Sequence, residues 1–268
     1  GREYLWWTVD GVNWERELLP GTATKLIYAG DALVVAGSDG VFVGVPGERF
    51  ERIADSQPRV LGEGALAMVT ASGTVVFDRG EGLEEVPSVP AGATAVHVTV
   101  DDLFVGTSAG AVWRWDGNDW QSCGALPVAG LDHGSVVALA AHGALLVAGT
   151  GLYSPYASID GCGSWVDITA PEESPWGAQG GAASDFEVVT NLYAAEGAVV
   201  WGGWAGAWIR RDEAWFGTEL MPGDFMRSLA VAGTPTVLPR VYTAGYGAGP
   251  HRSDDGGVSF LSGNENVS

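Results

Sequence analysis

Short apolar runs alternate with turn-forming residues along the whole chain, and the alternation repeats as a unit. Clear copies are LVVAGSDGVFVGVPGERF (33–50), LFVGTSAGAVWRWDGNDW (103–120) and VVWGGWAGAWIRRDEAW (199–215). A further apolar run that ends in a turn, such as KLIYAGD or AVHVTVDD, precedes each copy. Short apolar runs bounded by Gly, Asp, Asn and Ser predict β-strands, and helical periodicity is absent. Each unit therefore predicts four short antiparallel strands, which we label A to D.

The repeat predicts an all-β fold in one domain that covers residues 1–268. Seven large apolar residues close the units, at spacings of 33 to 50 residues: Trp14, Phe50, Leu83, Trp120, Trp165, Trp215 and Phe260. Four strands in each repeat of about 40 residues are typical of a β-propeller blade. Only six A–B hairpins precede the seven closing residues. The sequence therefore predicts a β-propeller of four-stranded antiparallel blades, with seven blades of which the first is incomplete, or alternatively six.

One turn motif occurs at three places in this repeat. SIDGCGSW (158–165) and SDDGGVSF (253–260) share the pattern S/T-x-D-G-x-x-x-W/F, and TVDGVNW (8–14) is one residue shorter. The pattern resembles the Asp-box, or BNR repeat, of sialidases and related propellers. That resemblance implies a structural role, because Gly permits a positive φ and the Asp carboxylate bonds to backbone N–H groups of its own turn. The residues concerned are Thr8, Asp10, Trp14, Ser158, Asp160, Trp165, Ser253, Asp255 and Phe260.

The two cysteines lie one repeat apart. Cys123 follows Trp120 by three residues, and Cys162 precedes Trp165 by three. Outer strands of consecutive blades bring such positions together, so we expect a disulfide rather than two buried thiols. A disulfide indicates an oxidising compartment.

Candidate ligand-binding residues lie on one predicted face. In a propeller the B–C and D–A connections share a face, where loops on a rigid scaffold commonly bind ligands. In the later blades these connections are rich in aromatic and charged residues: Tyr153, Tyr156, Trp176, Trp204, Tyr246, His251 and Arg252. Exposed aromatic side chains suit peptides or sugars, although the same residues could instead fill gaps between blades.

Composition narrows the classes of function. A net charge of −20 argues against nucleic acid and anionic membranes, and no apolar run is long enough to span a bilayer. Metal-binding, nucleophile-elbow and phosphate-loop motifs are absent, so we expect no metal and no cofactor and assign no catalytic residue. The early Arg-Ile-Pro element of sialidases has only Arg52-Ile53-Ala54 as its counterpart.

We therefore expect a bacterial protein that is secreted, periplasmic or on the cell surface. The chain also resembles photosystem II assembly-factor-like secreted propellers, which implies binding of partner polypeptides. We expect a non-catalytic propeller that binds a protein or carbohydrate ligand through the aromatic-rich loops. The alternatives are a glycoside hydrolase, sialidase-like or glucanase-like, and a structural cell-surface protein.

Overall fold

The computed structural model describes most of the chain and allows its strands to be placed. The described residues are 4–7, 13, 15–19, 22–29, 32–62, 66–78, 82–131, 134–151, 155–168, 191–195, 198–203, 206–211, 214–217, 226–232, 240–245, 249–255 and 259–262. Within them every regular element is a β-strand.

The strands form seven sheets, which we number in chain order. Sheet 1 has two strands, β1 (Tyr4–Trp7) and β2 (Glu15–Leu18). Sheet 2 has four strands, β3 (Ala23–Ala29), β4 (Ala32–Gly37), β5 (Gly40–Gly44) and β6 (Glu51–Ala54). Sheet 3 has β7 (Val60–Leu61), β8 (Ala67–Val69), β9 (Val75–Asp78) and β10 (Leu83–Val86). Sheet 4 has β11 (Ala93–Val98), β12 (Leu103–Thr107), β13 (Ala111–Trp115) and β14 (Trp120–Ala125). Sheet 5 has four strands, β15 (Val136–His142), β16 (Leu145–Thr150), β17 (Tyr156–Ser158) and β18 (Val166–Asp167). Sheet 6 has β19 (Asn191–Ala195), β20 (Ala198–Gly203), β21 (Gly206–Arg211) and β22 (Ala214–Gly217). Sheet 7 has β23 (Met226–Ala232), β24 (Arg240–Gly245), β25 (Gly249–Ser253) and β26 (Leu261–Ser262).

Each sheet is an antiparallel meander of strands that are consecutive in sequence. The four strands of sheets 2 to 7 are the predicted A, B, C and D strands, so the four-stranded repeat is confirmed. Sheet 1 consists of the last two strands of a unit, because β2 leads directly into the A strand of sheet 2, as the D strands of later sheets do. The seven sheets of the described residues are consistent with the seven-blade alternative.

The core lies between the sheets rather than within one of them. The described residues form six clusters of buried apolar side chains, each shared by two consecutive sheets. On β4, Val34 packs toward sheet 3 and Val35 packs toward sheet 1. Neighbouring residues of a strand point to opposite faces, so burial of both requires a sheet on each side. The B strands can therefore be apolar at successive positions, as the sequence shows.

The A strands of sheets 3 to 7 are neighbours in succession, so they form the inner side of the array. β11 packs beside β15, and β15 packs beside β19. His97 on β11 joins two of these strands, since its Nε2 accepts a hydrogen bond from the backbone N–H of Ala141 at 3.1 Å. The A–B pairing is shifted near the start of four A strands, for example between Ala93 and Ala95.

The predicted disulfide is present. Cys123, on the D strand of sheet 4, is bonded to Cys162, in the C–D turn of sheet 5, with a Cα–Cα distance of 4.9 Å. The indole Nε1 of Trp165 donates a hydrogen bond to the carbonyl of Cys123 at 2.9 Å. The bond and the indole therefore connect the outer parts of two consecutive sheets.

Candidate anion-binding site at the ends of the inner strands

A cavity of about 230 Å³ opens where the A strands of four consecutive sheets begin. β3, β7, β11 and β15 contribute its walls, together with the residue that precedes β7. In an antiparallel meander the B–C and D–A connections lie at this same end. The lining residues are Lys25, Arg59, Val60, Leu61, Gly62, Thr94, Ala95, Val96, Val137, Ala138 and Leu139.

Two cations contribute to this cavity. The half-buried Lys25 extends from β3 to sheet 3, where its Nζ donates a hydrogen bond to the carbonyl of Leu61 at 2.8 Å. Arg59 is exposed, and its backbone N–H bonds to the carbonyl of Val69 at 2.8 Å, which fixes the residue at the start of β7. Lys25 and Arg59 thus line the same opening.

The other described residues of the lining are neutral. Thr94 uses its hydroxyl within the framework, because Oγ1 donates to the carbonyl of Val136 at 2.5 Å. Val60 and Ala138, which are half-buried, and Val137, which is exposed, form the accessible aliphatic part of the lining. The cavity therefore combines positive charge with an aliphatic surface.

The positive charge of this cavity contrasts with the negative net charge of the chain. Acidic residues outnumber Lys and Arg by 33 to 13, and Lys25 is the only lysine. A cavity with cations and partly buried walls concentrates the local field, which attracts an anion even when the net charge is negative. Within the described residues no group of three or more His, Cys, Asp or Glu side chains could hold a metal ion.

Sequence reasoning missed Lys25 and Arg59. They are 34 residues apart, and both line the cavity because the Lys25 side chain reaches from β3 to the carbonyl of Leu61 in β7. Two features of the sequence could have indicated this pair: Lys25 is the single lysine, and both residues fall at the start of predicted A strands.

The predicted rim residues that the structure describes differ in their burial and in the elements to which they belong. Tyr156 begins β17 and is buried in the cluster between sheets 4 and 5, so its ring is not on an exposed rim. His251 and Arg252 lie within β25 rather than in a loop, and His251 is buried while Arg252 is exposed. The strand begins earlier than the sequence suggested, and its alternation sends the two side chains to opposite faces. Tyr153, Trp176, Trp204 and Tyr246 lie outside the described residues.

The turn at Ser158 to Trp165 is held by its aspartate. Asp160 Oδ1 accepts hydrogen bonds from Ser158 Oγ, from the backbone N–H of Gly163 at 2.8 Å and from that of Ser164 at 3.0 Å, while Ser164 Oγ donates to Oδ2 at 2.7 Å. Bonds from Ser164 and Ser158 hold the pKa of Asp160 far below its usual range, because they stabilise the carboxylate form.

The turn that begins at Ser253 repeats this geometry. Asp255 Oδ1 accepts from Ser253 Oγ at 2.7 Å and from the backbone N–H of Ser259 at 3.0 Å, and Ser259 Oγ donates to Oδ2 at 2.6 Å. A third carboxylate acts similarly in the C–D turn of sheet 4, where backbone bonds from Asp119 and Asn118 lower the pKa of Asp116. Thr8, Asp10 and Trp14 lie outside the described residues.

Comparison with solved structures identifies the architecture. The extracellular domain of the putative one component system BT4673 from B. thetaiotaomicron aligns with a TM-score of 0.64 at 13% identity over 97% of this chain and 34% of its own. YCF48 bound to D1 peptide aligns with a TM-score of 0.59 at 15% identity over 99% and 84%. The GH74 xyloglucanase from Xanthomonas campestris aligns with a TM-score of 0.61 at 16% identity over 97% and 46%.

The fold is a β-propeller. This confirms the predicted fold class, and identities this low carry the likeness no further than the fold. The chain spans about a third of the length of the BT4673 extracellular domain. No family model matches the chain, and no curated protein matches it. Among the described residues, no helix has the length and apolar character needed to cross a membrane.

Proposed function

We propose that this propeller is an exported binding protein that holds a polypeptide ligand on the face of its B–C and D–A connections. A carboxylate of the ligand, from its C-terminus or from an Asp or Glu side chain, enters the cavity between Lys25 and Arg59. The observation that carries the proposal is that Lys25 and Arg59 both line one cavity of a strongly acidic chain.

The ligand class follows from the composition of the lining. Hydrogen bonds between a cation and a carboxylate are stronger than those between neutral groups, so we expect the cavity to bind a carboxylate group. None of the described lining residues is aromatic, whereas Val60 and Val137 offer an aliphatic surface. This combination suits a carboxylate beside a small apolar side chain better than a sugar ring, which would stack on aromatic faces.

Two further observations support a binding role outside the cytosol. Among the similar propellers, YCF48 was solved with a bound D1 peptide and BT4673 as an extracellular domain. The Cys123–Cys162 bond suits an oxidising compartment. A secreted, periplasmic or cell-surface location in a bacterium is therefore part of the proposal, and the rim residues Tyr153, Trp176, Trp204 and Tyr246 stay a prediction for the same face.

The two serine–aspartate turns have a structural part in this proposal. We interpret 158–165 and 253–260 as Asp-boxes, because their aspartates satisfy the serine hydroxyls and backbone N–H groups of the turn. Both turns lie between C and D strands, at the opposite end of the sheets from the cavity. They hold the scaffold and do not touch the ligand.

Binding to a peptide array tests the proposal. The array carries decapeptides that end in small aliphatic residues, each as the free acid and as the amide, and a second set with internal Asp or Glu. We expect binding to carboxylate-bearing peptides. Arg59→Gln and Lys25→Met should each weaken it by roughly tenfold to a hundredfold, the usual range for a lost charged hydrogen bond.

The matched control is Arg49→Gln, which removes one positive charge from an exposed turn of sheet 2. It should bind as the parent does, and far-ultraviolet circular dichroism should show that every variant folds. Binding that tolerates both Arg59→Gln and Lys25→Met would contradict the proposed site. Preference for oligosaccharides of uronic acids, added as a separate arm, would replace the polypeptide with an acidic glycan.

A further inference from the structure

Side chains join the innermost strands of sheets 4 and 5. Each A strand pairs with the B strand of its own sheet and has no strand partner there on its inner edge. From β11, Thr94 Oγ1 donates a hydrogen bond to the carbonyl of Val136 on β15 at 2.5 Å. His97 Nε2, also on β11, accepts one from the backbone N–H of Ala141 on β15 at 3.1 Å. We call this contact between β11 and β15 the inner seam.

His97 is the titratable part of the inner seam. Its side chain is 8% exposed, and its cross-strand partner Phe104 belongs to the buried apolar cluster between sheets 4 and 5. Ala141 packs against the same cluster. The Nε2 atom of an imidazole accepts a hydrogen bond only in the neutral form with the proton on Nδ1, because both nitrogens of the imidazolium are donors. The bond to Ala141 therefore requires a neutral His97.

Protonation of His97 would act against the inner seam in two ways. The Nε2–H of the imidazolium would point at the N–H of Ala141, so that two donors would face each other. A positive charge would also lie beside apolar side chains, where a charge without a counter-ion is costly. Histidine ordinarily gains its proton near a pH of about 6.5. The bond is thus present at neutral pH and is lost as the pH falls through the mildly acidic range.

The charged groups near His97 do not compensate an added positive charge. The strands that pack against β11 are β7, β8, β12 and β15, and among their residues the single titratable one is His142, which is exposed at the end of β15. Across the sheet, Phe104 pairs on its other side with Arg114, so this guanidinium lies in the same cross-strand row as His97. Arg114 Nε is 2.6 Å from Asp102 Oδ1, so this carboxylate already has a cationic partner.

The other connections between sheets 4 and 5 do not titrate in this pH range. The hydroxyl of Thr94 holds the end of the inner seam that adjoins the cavity. The disulfide between Cys123 and Cys162 and the indole of Trp165 hold the outer parts of the two sheets. Acidification should therefore loosen the inner seam at its other end, next to the A–B turns, and leave the two sheets attached to each other.

We propose that His97 is a pH-sensitive switch in the fold, which holds β11 to β15 at neutral pH and releases the A–B end of the inner seam in mildly acidic solution. The switch rests on the bond between His97 and Ala141 and on the burial of the imidazole. It does not depend on a ligand in the Lys25–Arg59 cavity. The proposed function and this inference therefore succeed or fail separately, and Lys25→Met should leave the switch unchanged.

Nuclear magnetic resonance of the full chain labelled with ¹⁵N tests the switch without any substitution. At pH 7.5 we expect the proton of the His97 imidazole on Nδ1 and none on Nε2. Hydrogen exchange of the Ala141 amide is then followed from pH 7.5 to pH 4.5 as a protection factor, which corrects for the intrinsic pH dependence of exchange. The protection factor should fall at least tenfold, roughly the effect of one lost hydrogen bond. Its midpoint should coincide with the titration of His97.

Two variants separate the acceptor from the charge. His97→Gln retains an acceptor oxygen but does not titrate, so protection of the Ala141 amide should persist from pH 7.5 to pH 4.5. His97→Leu removes the acceptor, and protection of this amide should be low at every pH. The matched control is His142→Gln, which removes the exposed histidine next to Ala141 and should keep the pH dependence of the parent.

Several results would overturn the proposal. Two can be read from the unaltered chain, so they decide even where a variant does not fold: a proton on Nε2 of His97 at pH 7.5, or protection of Ala141 that stays constant to pH 4.5, whether or not His97 titrates. A fall in protection that persists in His97→Gln would assign the effect to another group. A fall that His142→Gln abolishes would assign it to His142.

Discussion

At the residue scale, Cys162 occupies a backbone conformation that glycine normally adopts. Its φ is 77°, and that of the preceding Gly161 is 71°. The homologous position of the second serine–aspartate turn is Gly257. A side chain in the left-handed region costs roughly 1–2 kcal/mol. Cysteine at this position therefore destabilises the turn locally, and the bond to Cys123 offsets that cost.

Asp160 gives the turn a dependence on pH. Its folded pKa lies below the ordinary value of 3.8, so its hydrogen bonds stabilise the fold above about pH 4 and lose this effect as the pH falls further. We expect Asp160→Asn to lower the free energy of unfolding at pH 6, and we expect this deficit to shrink between pH 4 and pH 2.5. Urea unfolding of both proteins at a series of pH values measures this difference in the free energy of unfolding.

Glu51→Gln is the control for Asp160→Asn, because it removes one negative charge from an exposed position of β6. Its effect should be small at every pH. A deficit of Asp160→Asn that stays constant from pH 6 to pH 2.5 would show that the carboxylate charge is not what holds the turn.

At the scale of elements, the disulfide joins sheets 4 and 5, which also share a buried apolar cluster and hydrogen bonds from Thr94, Ala141 and Trp165. It closes a sequence separation of 39 residues, for which the chain-entropy model gives about 4 kcal/mol. We expect Cys123→Ala/Cys162→Ala to lose stability on this order. Cys123→Ala/Cys162→Gly should be about 1 kcal/mol more stable than the alanine pair, because glycine accepts the positive φ.

Urea unfolding under identical conditions compares the two double variants, and both lack the same sulfur atoms. Equal stability, or a more stable alanine pair, would mean that the turn relaxes once the bond is absent. The positive φ of Cys162 would then be a consequence of the disulfide rather than a property of the turn.

The strands themselves were predictable where local pattern decides them. Alternating apolar runs and short turns give the A–D meander, and the placement of Cys123 and Cys162 beside closing tryptophans gives the disulfide. Strand starts were harder to place. Residues 150–157 contain Gly, Ser and Pro and suggest a loop, yet β17 begins at Tyr156 because its ring fills the space between sheets 4 and 5.

At the scale of the whole molecule, the arrangement of sheets creates features that no segment contains. Lys25, Arg59, Thr94 and Val137 line one cavity although they come from four different sheets. The distribution of charge also depends on how the sheets are arranged. The chain has a net charge of −20, yet Lys25 and Arg59 line the cavity at the start of the A strands.

The chain's single lysine makes the central claim directly measurable. Biosynthetic labelling with ¹³C,¹⁵N-lysine gives one side-chain signal, from Lys25, and titration with a carboxylate peptide from the array follows that signal by nuclear magnetic resonance. The account predicts a saturable shift of the Lys25 Cε and Nζ resonances with the free-acid peptide and none with its amide, and a loss of the shift in Arg59→Gln. A peptide that binds the protein while the Lys25 signal stays unchanged would contradict it.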